Sequence, residues 1–325
     1  MRVLLKIVIF MITPILLFGQ QKGLPEGQAI SSEKFRLSYK FGLNIFHNYI
    51  FSEESKIIRT DLKTKKEKTF NRKVQVFITL RQNTLPENGF NTVKVSFDSL
   101  HYELVTDDGK RYYYNSQDEE AVSPYSTNEF YNYTILLGKE YFMTYSPYNE
   151  VVKIFGEMLD TLRNKINHPE DGIKDPELKF VWDRLFQPSY QKLIPDLAKN
   201  LIPEYVVSKT DIWKRFFDIF ADGVLLSDTA EVKLIEFSPK EYVISAELKN
   251  LRGTKTKNNV YGISELVEID NIKGNGTMKM TVLPRGVIKE SEFDAKFEYE
   301  FEYDEVPYKQ SVETKYFWNL DKMYR

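Results

Sequence analysis

The chain has 325 residues, with 45 Lys and Arg against 47 Asp and Glu, and no cysteine. This balance is not the basic footprint of a nucleic-acid binder, and the lack of cysteine excludes disulfides, thiol catalysis and Cys-based metal sites. A single domain of this size buries about three quarters of its unfolded surface, so it needs no covalent staples.

Residues 1–19 are predicted to be a secretory signal peptide. Arg2 and Lys6 form a positive start, Ile7 to Phe18 an apolar run, and Gly19 a small residue for cleavage. The run falls short of the about 20 residues of a membrane span, and a retained N-terminal anchor is the alternative. Without Arg2 and Lys6, 43 basic residues face 47 acidic ones, a net charge near −4. No cysteine follows for lipid attachment and no second long apolar run appears. The expectation is a soluble exported protein, periplasmic or secreted, not a lipoprotein, without an integral membrane segment. Residues 20–33 are predicted to be disordered. Residues 34–325 are predicted as one β-rich domain: a β half over 34–155, a helical middle over 156–201 and a second β half over 203–320.

Lys73 to Arg81 alternates as a strand, with Val74, Val76, Ile78 and Leu80 on one face. The lysine-rich stretch before it reads as a solvated hairpin or strand edge. From Thr92, apolar residues sit at Val93, Val95 and Phe97, then shift phase to Leu100, Tyr102 and Leu104, which predicts a β-bulge at Asp98–Ser99. Asp107 to Lys110 is a turn into a return strand at Arg111, and Asn115 to Asn132 reads as a long loop. Glu140 to Tyr145 and Val151 to Phe155 are predicted strands. Helical spacing follows at Met158, Leu159, Leu162 and Ile166, then over Leu178–Gln187 and Ser189–Leu201, the last kinked at Pro195.

The second β half opens at Asp211–Ile212–Trp213, although Trp213, Phe216, Phe217 and Phe220 also fit one helical face. Ala221–Asp222–Gly223 predicts a hairpin into Val224 to Phe237. Tyr242, Ile244, Ala246 and Leu248 alternate; Gly274–Asn275–Gly276 reads as a turn, and Met278, Met280 and Val282 form a strand face. The sharpest pattern is Ser291–Asp304. Phe293, Ala295, Phe297, Tyr299, Phe301 and Tyr303 fall on one side; Glu292, Asp294, Lys296, Glu298, Glu300, Glu302 and Asp304 fall on the other. Only a strand sorts residues with period two, and this one extends roughly 45 Å at ~3.3 Å per residue. Val306–Pro307 marks the last turn, before a face of Val312, Thr314, Tyr316 and Trp318. The predicted fold class is α+β: a large curved antiparallel β-sheet, half-barrel-like, packed on a short central helical segment.

Several landmarks in order resemble a family of exported bacterial proteins classed as a domain of unknown function. They are Leu137–Gly138–Lys139 before the segment ending at Gly156, Pro203 to Val207 before Asp211–Ile212–Trp213, and Gly274 to Thr277 before Pro284–Arg285–Gly286. Thr210 stands where that family carries glycine. The resemblance marks Gly138, Pro203, Asp211, Trp213, Gly274 and Gly276 as structural positions and implies no activity. The layout is also similar to the half-barrels of periplasmic lipoprotein carriers, which implies a curved sheet around helices and an apolar cavity.

Catalytic signatures are lacking. His47, His101 and His168 have no metal-ligand spacing, and His101 near the bulge reads as a buried, hydrogen-bonded histidine. Asp171, Asp175 and Glu177 share one loop but lack the pattern of a calcium loop. No nucleophile elbow or phosphate loop appears. The acids of the long strand fit a cation platform, paired carboxylates or a solvated face; the last is the reading taken, with Lys309 and Lys315 pairing across to them. Asp98–Ser99–Leu100, Asp160–Thr161–Leu162 and Asp228–Thr229–Ala230 resemble a short O-glycosylation pattern of exported proteins. No catalytic, cofactor or metal residue is assigned. Phe293, Phe297, Tyr299, Phe301 and Tyr303 are the candidate ligand-lining residues, set against a dry core with Leu159, Leu162, Leu185 and Phe186. Two functions remain open: a non-catalytic binding module for an apolar or lipid-like ligand, or a structural or protein-interaction component of the cell envelope. An enzyme ranks behind both.

Overall fold

A computed structural model describes residues 34–118, 130, 133–147, 149–263 and 265–325, except the side chains of Glu177, Val181 and Leu185. The predicted signal peptide, the segment 20–33, most of the Asn115–Asn132 loop and the Leu185 contact lie outside these residues. Lys34 to Arg325 form one compact unit.

The fold is α+β, dominated by a large open antiparallel sheet that does not close into a barrel. The first half supplies β1 (Phe46–Asp61), β2 (Glu67–Gln82), β3 (Asn91–Thr106), β4 (Arg111–Asn115), β5 (Glu140–Tyr145) and β6 (Val151–Phe155). Three short helices follow, α1 (Glu157–Ile166), α2 (Pro176–Leu185) and α3 (Pro188–Gln191). The second half supplies β7 (Ile212–Ala221), β8 (Val224–Phe237), β9 (Tyr242–Arg252), β10 (Thr256–Asn259), β11 (Leu266–Val282), β12 (Ile288–Tyr303) and β13 (Val306–Tyr324). The sheet order is β6-β5-β3-β2-β1-β13-β12-β11-β9-β8-β7, with β4 beside β3 and β10 beside β11. The final strand lies against the first along its length, from Phe46↔Tyr324 to Asp61↔Tyr308, so one continuous ladder joins the halves.

The sheet curls strongly. Along its order β7 lies four strand spacings from β12, about 19 Å if flat. Yet Phe217 on β7 stacks on Phe293 on β12 with ring centroids 5.5 Å apart. The edge hairpin β7–β8 therefore folds back over the concave side. Its turn is the two-residue Asp222–Gly223, both with positive φ, a geometry that matches the twist of paired strands. Trp213, Phe217 and Ile219 face inward, while Phe216 is 62% exposed; a strand, not the helical alternative, accounts for this segment.

β12 follows its sequence pattern. Phe293, Ala295, Phe297, Tyr299 and Phe301 are buried, and the acids between them are half-buried or exposed. Lys309 reaches Glu298, and Lys315 reaches Glu292 and Asp294, across the β12–β13 ladder. The bulge falls where the phase shift places it: Phe77 faces Ser99 and Ile78 faces Phe97, leaving Asp98 extra.

Four expectations are corrected. Gly274–Asn275–Gly276 is not a turn but lies inside β11, where a Cβ on Gly274 would stand 2.4 Å from the Lys296 carbonyl and one on Gly276 2.8 Å from that of Asp294. Glycine there permits close backbone approach where the register against β9 shifts. The last hairpin turns at Asp304–Glu305, both with positive φ, and Pro307 lies within β13 opposite Glu302. Ser189–Leu201 is not a kinked helix: helix ends at Gln191, and Lys199 and Asn200 adopt positive φ. The buried histidine is His47, 1% exposed, whereas His101 is half-buried against the edge of Tyr113.

Candidate functional site

The inner face of the central strands is not uniformly apolar. On β1 the buried positions run Tyr49, Phe51, Glu53, Ser55, Ile57 and Arg59; on β2 Arg72 stands between Phe70 and Val74. Gln310 and Thr314 take inner positions on β13. These side chains converge beneath the tip of the β7–β8 hairpin.

Arg72 is the hub. Its Nε and Nη2 donate to Glu53 Oε1 at 2.9 and 2.7 Å, and its Nη1 donates to Asp222 Oδ1 at 3.1 Å. The other oxygens are also used: Tyr133 Oη donates to Glu53 Oε2 at 3.1 Å, and Tyr299 Oη and Gln310 Nε2 each donate to Asp222 Oδ2 at 2.8 Å. Arg59 Nε donates to Gln310 Oε1 at 3.0 Å. Burial, then the neighbouring Asp222, pushes the Tyr299 phenol well above its usual range, so it is a hydrogen-bond donor at neutral pH. Both carboxylates are thus fully hydrogen-bonded and share the charge of Arg72.

Next to this network lies a cavity of about 30 Å³. Phe51, Phe97 and Tyr316 form its sheet side, Leu136, Leu193 and Ile194 its cover, and Glu53, Asp222 and Gly223 its polar end. The cover is made of short helices and turns tied to the sheet through backbone carbonyls. Tyr141 Oη donates to Gln191 O at 2.6 Å, Trp318 Nε1 to Ile194 O at 2.7 Å, and Trp213 Nε1 to Leu201 O at 2.8 Å. These bonds replace the helical ones that Pro195 and the positive-φ residues disallow.

Of the candidate ligand-lining residues, Phe293, Phe297, Tyr299 and Phe301 are buried and Tyr303 is partly buried against the same core. They do not line this cavity; Tyr299 joins it indirectly, through Asp222. Sequence reasoning missed Glu53, Arg59, Arg72 and Gln310, and read Asp222 only as a turn residue. The resemblance-marked residues serve separate elements. Gly138, with φ 66°, turns so that its N–H reaches Phe97 O at 2.9 Å. Asp211 closes a turn by accepting from Ser208 N at 2.8 Å, and Thr210 has no positive φ in that turn, so glycine is not required there. Pro203 is buried beside the cover.

Asp175 Oδ1 accepts from Leu178 N at the start of α2, at 3.1 Å, and among the described residues no group of three acidic, His or Cys side chains is placed to hold a metal ion. Ser99 is buried, while Thr161 and Thr229 are exposed.

A second feature crosses the outer face. Arg72, Ser55, Thr314, Ala295 and Gly276 stand side by side on five strands. Behind this mostly small row, the outer face holds an open groove of about 470 Å³. One bank is Lys73, Glu54, Lys315, Asp294 and Thr277; the other is Asn71, Lys56, Glu313, Lys296 and Asn275.

No family model matches the chain, and no curated protein matches it, so the family resemblance rests on the motif order alone. Solved structures similar to it include lipovitellin, from work on its lipid–protein interactions, at 10% identity and a TM-score of 0.44, covering 88% of this chain and 26% of that one. Another is a domain from Vibrio parahaemolyticus assigned to outer membrane lipoprotein sorting, at 9% identity and a TM-score of 0.14, covering 85% of this chain and 84% of that one. This chain spans about a quarter of the lipovitellin chain. At these scores neither likeness carries an argument about function. Among the described residues, no helix is long and apolar enough to cross a membrane.

Proposed function

We propose that the protein is a non-catalytic binding module of the cell envelope that holds an apolar or lipid-like ligand between its curved sheet and the cover. The apolar run behind Arg2 and Lys6 supports export. The observation that carries the binding reading is the cavity under the cover, apolar along both walls and polar at one end, the composition of a small-molecule site. Its volume of about 30 Å³ holds no lipid chain with the cover in place, so binding requires Leu136, Leu193 and Ile194 to move. The cover lacks a strand ladder and is held by side-chain bonds to its carbonyls, but Leu197, Ala198, Leu201 and Ile202 are fully buried beneath it, so opening exposes apolar surface as well as breaking those bonds.

Native mass spectrometry of gently purified protein tests this reading. The expected result is a bound apolar molecule, together with faster amide exchange of residues 187–202 than of β12 and β13. A chain that carries nothing, and that takes up no lipid after delipidation, overturns it.

The outer groove favours a second reading, a protein-interaction component of the envelope. Its banks alternate in charge, with Lys73–Glu54 at 3.3 Å on one and Lys296–Glu313 at 2.8 Å on the other. Recovery of one partner that is lost on Lys296→Glu with Lys315→Glu supports this reading; a partner retained by that variant, or none, counts against it.

A further inference from the structure

Of the three segments that resemble an O-glycosylation pattern, only one presents its hydroxyl on an open strand face. Ser99 is 5% exposed, at the bulge of β3. Thr161 lies within α1, where the backbone is wound into helical bonds. Thr229 is exposed on β8.

Each residue of Asp228–Thr229–Ala230 has its own part in this placement. Between Ser227↔Arg252 and Glu231↔Glu247 the β8–β9 register slips, so three residues of β8 face four of β9. The Asp228 carboxylate fills the break: Oδ1 accepts from Thr229 N at 2.7 Å and Oδ2 from Asn250 N at 2.8 Å. Two amides at the slip are thus satisfied by a side chain instead of the ladder. Ala230 is fully buried, and alternation along the strand then turns Thr229 outward.

The neighbour of Thr229 is the second observation. Directly opposite it on β7 stands Phe216, which is 62% exposed. Cross-strand partners share a face, with Cβ atoms about 4.5–5.5 Å apart. β7 is the last strand of the sheet, and Ile212, on the same face as Phe216, is 67% exposed. An edge strand with apolar residues open to water is a template for pairing with another chain. A sugar on Thr229 would lie beside Phe216, with the C–H groups of its ring against the electron-rich face of the phenyl ring.

We propose that Thr229 is an O-glycosylation site, and that its first sugar packs on Phe216 and screens the β7 edge from a second copy of the chain. In the transfer, Thr229 Oγ1 bonds to the anomeric carbon of a sugar carried as a diphosphate ester. The bond from that carbon to the phosphate oxygen breaks, and the hydroxyl proton ends on the released diphosphate. The site is independent of the cavity and shares with the reading above only the export of the chain.

The test is the intact mass of the full chain purified from the envelope of the cells that make it, followed by fragmentation that keeps sugars on their peptide. The natural chain is expected to be heavier than its sequence, counted from its own N-terminus, by one or more sugar residues on the peptide that carries Thr229. Thr229→Val is expected to remove that mass; Thr229→Ser and Thr161→Val are expected to keep it. An unmodified natural chain in the envelope fraction, or sugar only at other residues, overturns the site. An unmodified chain found only in the cytoplasm overturns the export reading together with it. Sedimentation velocity then tests the screening role. Thr229→Val is expected to self-associate at concentrations where the modified chain is monomeric, and Phe216→Ser added to it to restore the monomer. Equal association of the modified and unmodified chains overturns the screening role and leaves the modification standing.

Discussion

Arg72 on β2 and Asp222 at the tip of the β7–β8 hairpin are 150 positions apart in sequence and meet at 3.1 Å. Seven strand spacings separate β2 from β7 along the sheet, about 34 Å if it were flat. The ion pair therefore depends on the curl of the sheet and fastens the hairpin over the central strands. Arg72 is 1% exposed and is shared by two acids. Arg72→Met leaves Glu53 and Asp222 buried without their common cation, and the expected loss is about 3–5 kcal/mol. Asp222→Asn keeps the shape and leaves Arg72 on Glu53, so a smaller loss of about 1–3 kcal/mol is expected. Urea unfolding of both variants measures the order. Equal losses contradict the view of Arg72 as the hub.

The close approach at Gly274 in β11 makes a steric prediction. Gly274→Ala places a Cβ 2.4 Å from Lys296 O and 2.5 Å from Phe297 Cβ, neither of which is the free end of a flexible side chain. The expected cost is about 1–3 kcal/mol. Thr277→Ala, three positions along and exposed, is the control and is expected to stay within about 0.5 kcal/mol. A shift in the urea midpoint no larger for Gly274→Ala than for the control removes the close-approach account of this glycine.

How far the sequence showed these features depends on what sits at the inner positions. β12 was legible because Phe293, Ala295, Phe297, Tyr299 and Phe301 hold its inner face against charged residues outside. β1 was not, because Glu53, Ser55 and Arg59 occupy inner positions and break the alternation that Tyr49, Phe51 and Ile57 would otherwise complete. The strand recognised from Lys73 in fact begins at Glu67, and the charged side chain that hid its start is Arg72. Asp222–Gly223 was read correctly as a turn, but turn chemistry says nothing about where a hairpin tip lands. That depends on sheet curvature, a property of all thirteen strands together. An isolated charge at an inward position, such as Arg72 after Phe70 and before Val74, was the local signal available.

On the outer face of the sheet, charge matters less. Lys315 bridges Glu292 and Asp294, and its hydrogen bond holds the Glu292 carboxyl below its usual range. Half of the Lys315 side chain is nonetheless exposed. Lys315→Ala is expected to cost under about 1 kcal/mol, and less again in 0.5 M salt, where screening shortens to a few ångströms. Thermal unfolding at two salt concentrations checks this, and a loss comparable to that of Arg72→Met argues against a solvated outer face.

His47 contributes to the acid side of the stability profile. It is 1% exposed on β1, Gly42 N donates to its Nε2 at 3.3 Å, and burial holds its pKa down to about 4 against 6.5 for a free imidazole. Between those values the unfolded chain binds a proton at His47 that the folded chain does not. Stability therefore rises with pH across this window and levels off above about 6.5, so the contribution is complete at neutral pH and lost as the pH falls toward 4. A shift of this size corresponds to roughly 3 kcal/mol. His47→Gln preserves an acceptor for Gly42 N and does not titrate. The difference in unfolding free energy between the natural chain and this variant, taken from urea curves between pH 4 and pH 8, isolates the histidine from the carboxylates that titrate in both. It is expected to grow in favour of the natural chain from pH 4 to pH 6.5 and to be flat above. A difference independent of pH shows that His47 accepts a proton in the folded protein as readily as in the unfolded one, and that its ring is not sealed beneath Phe41 and the start of the sheet.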